Sequence, residues 1–287
     1  MTNSFVDTPP RSWLYVPGDQ PERIAKAIAG DADCVIIDLE DAVAPANKDS
    51  ARNNAVAALG NPTAKPVLVR INASNTAWQR ADLDALADAP HLAGVRVPKS
   101  EAPEQIAQIA DALPESALHL LIDSAKGLQS VDDLATAHPR VTTIALGEAD
   151  LRADLGITDD IHLGYARGKL VAAAAAAGLL APPQSVFTNL DDDDGLRATS
   201  IAAKAAGFFG RTVIHPRQVS IVNQAFLPTS AEVDQARALV DALAHAGDTS
   251  ALVLPDGRFV DPAVVAGGQR LLNIADRYGI SDNSKIR

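Results

Sequence analysis

Two kinds of hydrophobic pattern alternate along the chain. Short apolar runs recur at WLYVP (13–17), CVIIDLE (34–40), PVLVRIN (66–72), GVRVPK (94–99), HLLID (119–123), TIALG (143–147), PQSVFT (183–188) and RTVIHP (211–216). Most are unbroken rather than alternating apolar with polar, as parallel strands covered on both faces require. Between them lie helix-length segments: PERIAKAIAG (21–30), AWQRADLDALADA (77–89), APEQIAQIADAL (102–113), VDDLATA (131–137), YARGKLVAAAAAAG (165–178) and GLRATSIAAKAAG (195–207). Before the first, Asp19 and Glu22 stand at capping-box spacing, and Gly30 follows it. Eight strands alternating with helices predict an α/β fold, a TIM (β/α)8 barrel over residues 1–227. The other arrangement with this alternation is an open doubly wound sheet. No GxGxxG opens any of the helices, and none of the eight runs breaks the alternation.

About seventy residues remain after the last run, of which residues 228–287 form the tail. They contain a helix over 230–246, two short extended runs in LVLPDGRFVDP (252–262) about the turn signal PDGR, and a helix over 263–278. This tail is too long for a closing helix and is expected to form a C-terminal lid or arm, part of the same domain or reaching a neighbouring subunit.

Composition narrows the setting. The 287 residues are 47% hydrophobic, enough for a large core, and many are alanines suited to closely packed helices. The net charge of −11 argues against nonspecific nucleic-acid binding, so an anionic ligand needs a local basic patch. The single cysteine, Cys34, lies inside CVIID and reads as a small buried hydrophobe; a disulfide framework is excluded, which suits a reducing compartment. The start, MTNSFVDTPPRS, lacks the pattern of a signal peptide, and LVAAAAAAGLLAPP (170–183) is too short to span a bilayer. A cytoplasmic protein without membrane or nucleic-acid partners is expected.

Barrels of this type carry their reacting groups where strands end and the following loops begin. Those ends hold Pro17-Gly18, Glu40-Asp41, Arg70 with Asn72, Lys99, Asp123, Glu148 with Asp150, and His215. There is no HExxH and no CxxC, and the six histidines are scattered, so zinc is poorly supported. Carboxylates alone suit a hard cation such as Mg2+, which takes one or two of them and fills its other positions with water or substrate oxygens. Asp123 and Asp150, at neighbouring strand ends, fit that pattern. Equally, each acid can cap the next helix or pair with a neighbouring base, and spacing does not decide between these. Arg70, in an apolar strand, needs an anion: either a rim carboxylate or a substrate carboxylate or oxyanion. Lys99 is either a solvated side chain or, if desolvated, a Schiff-base nucleophile. DDDD (191–194) reads as a solvated loop ahead of a helix. His215 reads as a hydrogen-bonded rim residue, with proton transfer as its other role.

The motifs resemble those of the citrate lyase β-subunit-like family, the HpcH/HpaI aldolase/citrate lyase group, and in particular its CoA-ester lyases. The resemblance rests on RSWLYVPGDQPERIAKAIAGDADCVIIDLEDAVAPANKDSAR (11–52), VRIN, VPK, LGEADL, GFFGRTVIHPRQVSIVNQAF and the tail GRFVDP, and so covers nearly the whole chain. It implies a TIM barrel assembling as a homotrimer or hexamer, with Mg2+ as cofactor and a CoA thioester as substrate. By the same resemblance Arg70 and Glu40 bind substrate, Asp150 is the metal-binding aspartate of Gly-x-x-Asp-Leu, and Asp123 is both metal ligand and substrate contact. Asp123 stands where the family usually has a glutamate in Ile-Glu-x-x-x-Gly, and Gly127 keeps the spacing. Its carboxylate is one methylene shorter, so the ion must shift, a water must bridge, or Glu148 must help. Gln184 is a second departure, since many relatives have an aspartate there. Asp261 in RFVDP matches the Met-Ile-Asp motif of the longer members, where a lid aspartate acts as acid/base near the thioester methyl carbon, in the site of a neighbouring subunit.

The reaction implied is Mg2+-dependent cleavage of a short 3-hydroxyacyl-CoA, malyl-CoA or citramalyl-CoA in type, to acetyl-CoA and a 2-oxo acid. Alternatives are a citryl thioester lyase like the citrate lyase β subunit, a class II aldolase on free 2-oxo acids, a condensation followed by thioester hydrolysis, and a non-catalytic binding subunit motivated by Asp123 and Gln184.

Overall fold

The computed structural model describes residues 9–245, 252–253 and 259–280. Contacts divide the chain into two compact units, Met1–Phe226 and Leu227–Arg287. In the first, seven parallel strands, β1 (Ser12–Pro17), β2 (Cys34–Asp38), β3 (Val67–Arg70), β4 (Gly94–Val97), β5 (Ala117–Ile122), β6 (Val141–Leu146) and β7 (Arg211–Val213), form one curled sheet in the order β6-β5-β4-β3-β2-β1-β7. Consecutive strands from β1 to β6 are neighbours, joined through helices, which is the TIM-like half-barrel of an α/β fold. Strands β2, β3, β4 and β5 are buried along their whole length, which explains their unbroken apolar runs. Trp13, Cys34, Ile36 and Leu68 pack together in the core, where burial pushes the free Cys34 thiol up, away from reactivity.

The eighth run, PQSVFT, is not a strand. It makes one parallel bridge, Gln184 to Arg211, through Gln184 N–H to the Gly210 carbonyl (2.8 Å) and Thr212 N–H to the Gln184 carbonyl (2.9 Å). Pro182 and Pro183 lack the N–H groups a ladder needs. Its other flank is held by a side chain: the Ser185 hydroxyl donates to the Leu146 carbonyl (2.5 Å) and accepts from Glu148 N–H (3.2 Å). The segment thus bonds to both edge strands, β6 and β7.

Six expected helices are present, as Pro21–Ala29, Gln79–Leu86, Pro103–Ala112, Val131–Ala135, Gly164–Ala176 and Asp193–Ala205. The capping box on the first does not form. Gln20 is the N-cap, without a side-chain bond, and Asp19 instead accepts from the Asn47 amide at 2.9 Å. The acidic run behaves as expected: Asp192 caps the helix it precedes by accepting from Gly195 N–H at 2.8 Å. Helices Lys48–Leu59, Ala125–Gln129, Glu148–Leu155 and Arg217–Ala225 were not separated from the loops by pattern alone. One of them matters for chemistry, because Asp150 sits in the first turn of Glu148–Leu155 rather than at the end of β6.

In the second unit, helices Ser230–His245 and Pro262–Arg277 pack against each other, and β8 (Leu252–Val253) pairs antiparallel with β9 (Phe259–Val260). The PDGR turn expected between them lies outside the described residues. Asp261 is the N-cap of Pro262–Arg277, accepting from Val264 N–H at 2.9 Å. Among the described residues no helix is long and apolar enough to cross a membrane.

Candidate active site

The C-terminal ends of the strands open onto a cavity of about 320 Å³, lined by Asp38, Asp41, Arg70, Arg96, Glu148 and Asp150 among others. Asp38 closes β2 and Arg70 closes β3, while Asp150 comes from the first turn of Glu148–Leu155. Asp123 follows β5 directly; neither it nor Lys99 is among the residues lining the cavity.

Arg70 is gripped by acids of the β2 end. Its Nε and Nη2 donate to the two Asp38 oxygens at 2.7 and 2.6 Å, and Nη1 meets Glu40 at 2.9 Å and Asp41 at 3.0 Å. Asp38 also accepts the N–H groups of Glu40 (3.0 Å) and Ala42 (3.1 Å). The fork is bidentate and buried, and its orientation is set before any ligand arrives. Burial alone would lower the Arg70 pKa; the Tyr15 phenol and Asp38 beside it outweigh that and raise it well above its ordinary range. Glu40 reaches Arg70 but is not among the residues lining the cavity. Its pKa is raised to about 7, chiefly by burial, with Arg70 opposing and Asp41 and Asp38 reinforcing.

Asp123 and Asp150 converge on one positive charge. The Lys99 ammonium contacts Asp150, and lies 3.4 Å from Asp123 Oδ2, which also accepts Lys99 N–H at 3.2 Å. Lys99 has a left-handed backbone (φ 48°), unusual for a residue with a side chain; that turn brings both its nitrogens to Asp123. Burial lowers the Lys99 pKa, but its bonds to Asp150 and Asp123 win and raise it. A protonated, doubly paired amine is a poor Schiff-base nucleophile, so that role for Lys99 is not supported. Asp123 is almost wholly buried, and its Oδ1 has no hydrogen-bond partner among the described residues. Burial foremost raises its pKa, against the pull of Lys99. Two glycines permit this packing. A Cβ on Gly147 would lie 2.5 Å from the Asp123 Cβ, and one on Gly127 would lie 2.5 Å from the Ser100 carbonyl, where the loops after β4 and β5 touch.

No cluster of three or more His, Cys, Asp or Glu suited to a metal occurs among the described residues. What remains is a pair: a buried carboxylate with one unpartnered oxygen, and a half-exposed carboxylate brought to the same charge. Such a donor set fits a hard cation content with two protein carboxylates. Glu148 is otherwise engaged. Arg167 holds it bidentately (2.7 and 2.7 Å), and the Gln184 amide donates to it at 3.3 Å. Gln184 therefore supports a rim acid in place of the aspartate expected there.

Other strand-end residues lie apart from this cavity. Asn72 is buried, with its amide groups donating to Asp82 at 2.8 and 2.7 Å. His215 is exposed and accepts Arg217 N–H at 3.2 Å, a turn contact. Asp261 belongs to the second unit. Sequence reasoning missed Asp38, Tyr15, Arg96 and Thr212. Asp38 had a signal, since it is a charged residue that ends the otherwise apolar run CVIID.

Residues 11–216 match the model of the family described as HpcH/HpaI aldolase/citrate lyase. The (3S)-malyl-CoA thioesterase of Cereibacter sphaeroides is 34% identical over 281 residues, covering 93% of this chain and 95% of its own. The L-malyl-CoA/beta-methylmalyl-CoA lyase of Rhodobacter capsulatus is 30% identical over 315 residues, covering 95% and 98%. Among solved structures, CitE from Mycobacterium tuberculosis in complex with magnesium, acetoacetate and coenzyme A superposes with a TM-score of 0.80 at 32% identity, covering 93% of this chain and 98% of that one. On the extent of these matches, the chain belongs to the HpcH/HpaI aldolase/citrate lyase family and is an enzyme of its carbon–carbon lyase class.

Proposed function

We propose that the protein cleaves a short 3-hydroxyacyl-CoA of the malyl-CoA or citramalyl-CoA type into acetyl-CoA and a 2-oxo acid, with Mg2+ as cofactor. The observation that carries this is the meeting of Asp123 and Asp150 on one charge, with Asp123 Oδ1 unpartnered among the described residues and Asp150 lining the same cavity as Arg70. Magnesium in the CitE complex and malyl-CoA in the names of both relatives support the choice of ion and ester.

Asp123 and Asp150 would hold the ion, and the Lys99 ammonium, which contacts both, would have to give way to it. When bound, Mg2+ supplies Lewis-acid stabilisation to the oxygens of the departing oxo acid. The chain's own groups do the rest. Arg70, fixed by Asp38, presents positive charge to the oxygen that changes from hydroxyl to carbonyl. A water takes the proton of the substrate hydroxyl as the bond between the hydroxyl carbon and the thioester methylene breaks, and the electron pair of that bond passes into the thioester carbonyl as an enolate. Asp261, or a water it positions, delivers one proton to the methylene carbon, giving the acetyl group and balancing the proton lost from the hydroxyl. This assignment of Asp261 rests on the RFVDP match, as does a lid role for residues 228–287. The same reading takes the 183–188 segment as the eighth position of a closed barrel, residues 1–227 as its extent, and a homotrimer or hexamer as the working assembly in the cytoplasm.

The test is incubation of the pure protein with Mg2+ and a panel of 3-hydroxyacyl-CoA esters, reading the 2-oxo acids released. Glyoxylate from malyl-CoA or pyruvate from citramalyl-CoA is expected. Release of neither from any ester would overturn the substrate choice, and full activity in Asp150→Ala would overturn the metal assignment. The thioesterase relative favours one second reading, hydrolysis of malyl-CoA. It would appear as free CoA thiol and malate without a 2-oxo acid.

A further inference from the structure

Arg96 is a buried cation without a carboxylate. It is 1% exposed, near the end of β4, and lines the same cavity as Arg70. In the sheet it pairs with Arg70 on one side and His119 on the other. Nη1 donates to the Tyr15 hydroxyl and to Thr212 Oγ1, both at 3.2 Å. Nε and Nη2 have no hydrogen-bond partner among the described residues. Its guanidinium lies over the rings of Trp13 (5.6 Å) and Tyr15 (5.5 Å), while Tyr15 also carries Arg70 at 4.8 Å.

The two arginines are in opposite electrical situations. Arg70 is surrounded by Asp38, Glu40 and Asp41, so its own acids already outnumber it. Arg96 has only neutral hydroxyl acceptors and π faces against it, and among the described residues it forms no ion pair. Burying an arginine without an anion is costly, and a fold keeps such a residue where a ligand supplies the missing charge. The two hydroxyls sharpen this argument. Because each accepts from Arg96, each keeps its own proton for another acceptor. Tyr15, Arg96 and Thr212 all line the cavity, so two unpartnered guanidinium nitrogens and two hydroxyls lie together in its wall.

We infer that Arg96, with Tyr15 and Thr212, is the receptor for the substrate's free carboxylate and sets the enzyme's preference for an acidic over a neutral acyl partner. The inference rests on the lyase reading for the identity of that partner, a 2-oxo acid, but binding alone tests it. Pyruvate and methyl pyruvate are titrated by NMR into the full chain, once with excess chelator and once with Mg2+. The wild type is expected to favour pyruvate by about tenfold or more even with chelator, the scale of a charge-assisted hydrogen-bonded pair. Arg96→Met, which keeps the bulk, is expected to erase that preference. Arg96→Lys is expected to restore part of it, and Tyr15→Phe and Thr212→Val to weaken pyruvate severalfold each.

A folded Arg96→Met that still discriminates would overturn the inference, as would a wild type that never prefers pyruvate. Should Arg96→Met fail to fold, the Arg96→Lys, Tyr15→Phe and Thr212→Val series decides in the same way. Ester cleavage without any Arg96 dependence of binding would remove this inference and leave the lyase. Arg96-dependent binding without cleavage of any ester would do the reverse.

Discussion

Replacing Glu40 with glutamine should stabilise the protein above neutral pH and leave it unchanged in acid. Glu40 lies against Arg70 at 2.9 Å, yet burial and the neighbouring Asp41 and Asp38 raise its pKa from 4.5 to about 7. Between those values the folded state binds a proton that the unfolded chain has released. Stability therefore falls as pH rises from about 4.5 to about 7, and the penalty is complete above that window. A displacement of this size corresponds to about 3 kcal/mol. Water reaches part of the side chain, which is 13% exposed, so screening reduces the expected penalty to about 1–2 kcal/mol. Glutamine keeps the shape and the acceptor oxygen but carries no charge. Urea unfolding of wild type and Glu40→Gln across this range should give equal stabilities at the acid end and a variant about 1–2 kcal/mol more stable near pH 8. A difference that stays flat with pH, or that favours the wild type increasingly as pH rises, would refute the burial argument for this carboxylate.

Asp82 is fully buried and accepts from Arg52 at 2.9 Å and from both Asn72 amide groups; Asp82→Leu strands those donors and should cost about 3–5 kcal/mol in chemical unfolding. Asp261→Ser preserves the N-cap on Pro262–Arg277 while removing a titratable acid, so it should keep helix stability but lose turnover; Asp261→Ala should lose about 1 kcal/mol as well, and a fully active serine variant would show that the residue only caps. Gly147→Ala drives a methyl into Asp123 and should weaken Mg2+ about tenfold by calorimetry with little change in the circular dichroism spectrum.

The strands were legible because burial on both faces writes itself as unbroken apolar runs, and Arg70 was legible because a charge interrupts one of them. Arg96 interrupts GVRV in the same way. Nothing local says that Arg70 has three acids about it and Arg96 none, since Asp38 ends a different strand and Glu40 and Asp41 lie in the loop after it. The pairing of Asp123 with Asp150 could be proposed from neighbouring strand ends, but the intervening Lys99 could not. Its position depends on a left-handed backbone at a residue type that rarely adopts one. PQSVFT failed as a strand because two prolines outweighed its apolar content, while a serine side chain replaced the missing backbone bonds. The capping box at Asp19 failed because Asn47, distant in sequence, offered a competing donor.

The amine between the two aspartates has a consequence for how the enzyme meets scarcity of its ion. A site built only of acids flies apart by mutual repulsion when the metal leaves, and the fold pays in stability. Here Lys99 stands in as an internal counterion. Chelation should silence the catalyst and remove only the stability that binding of the ion itself adds, without a further loss from two bare carboxylates left facing each other. The molecule can then wait folded through metal starvation and resume work on resupply.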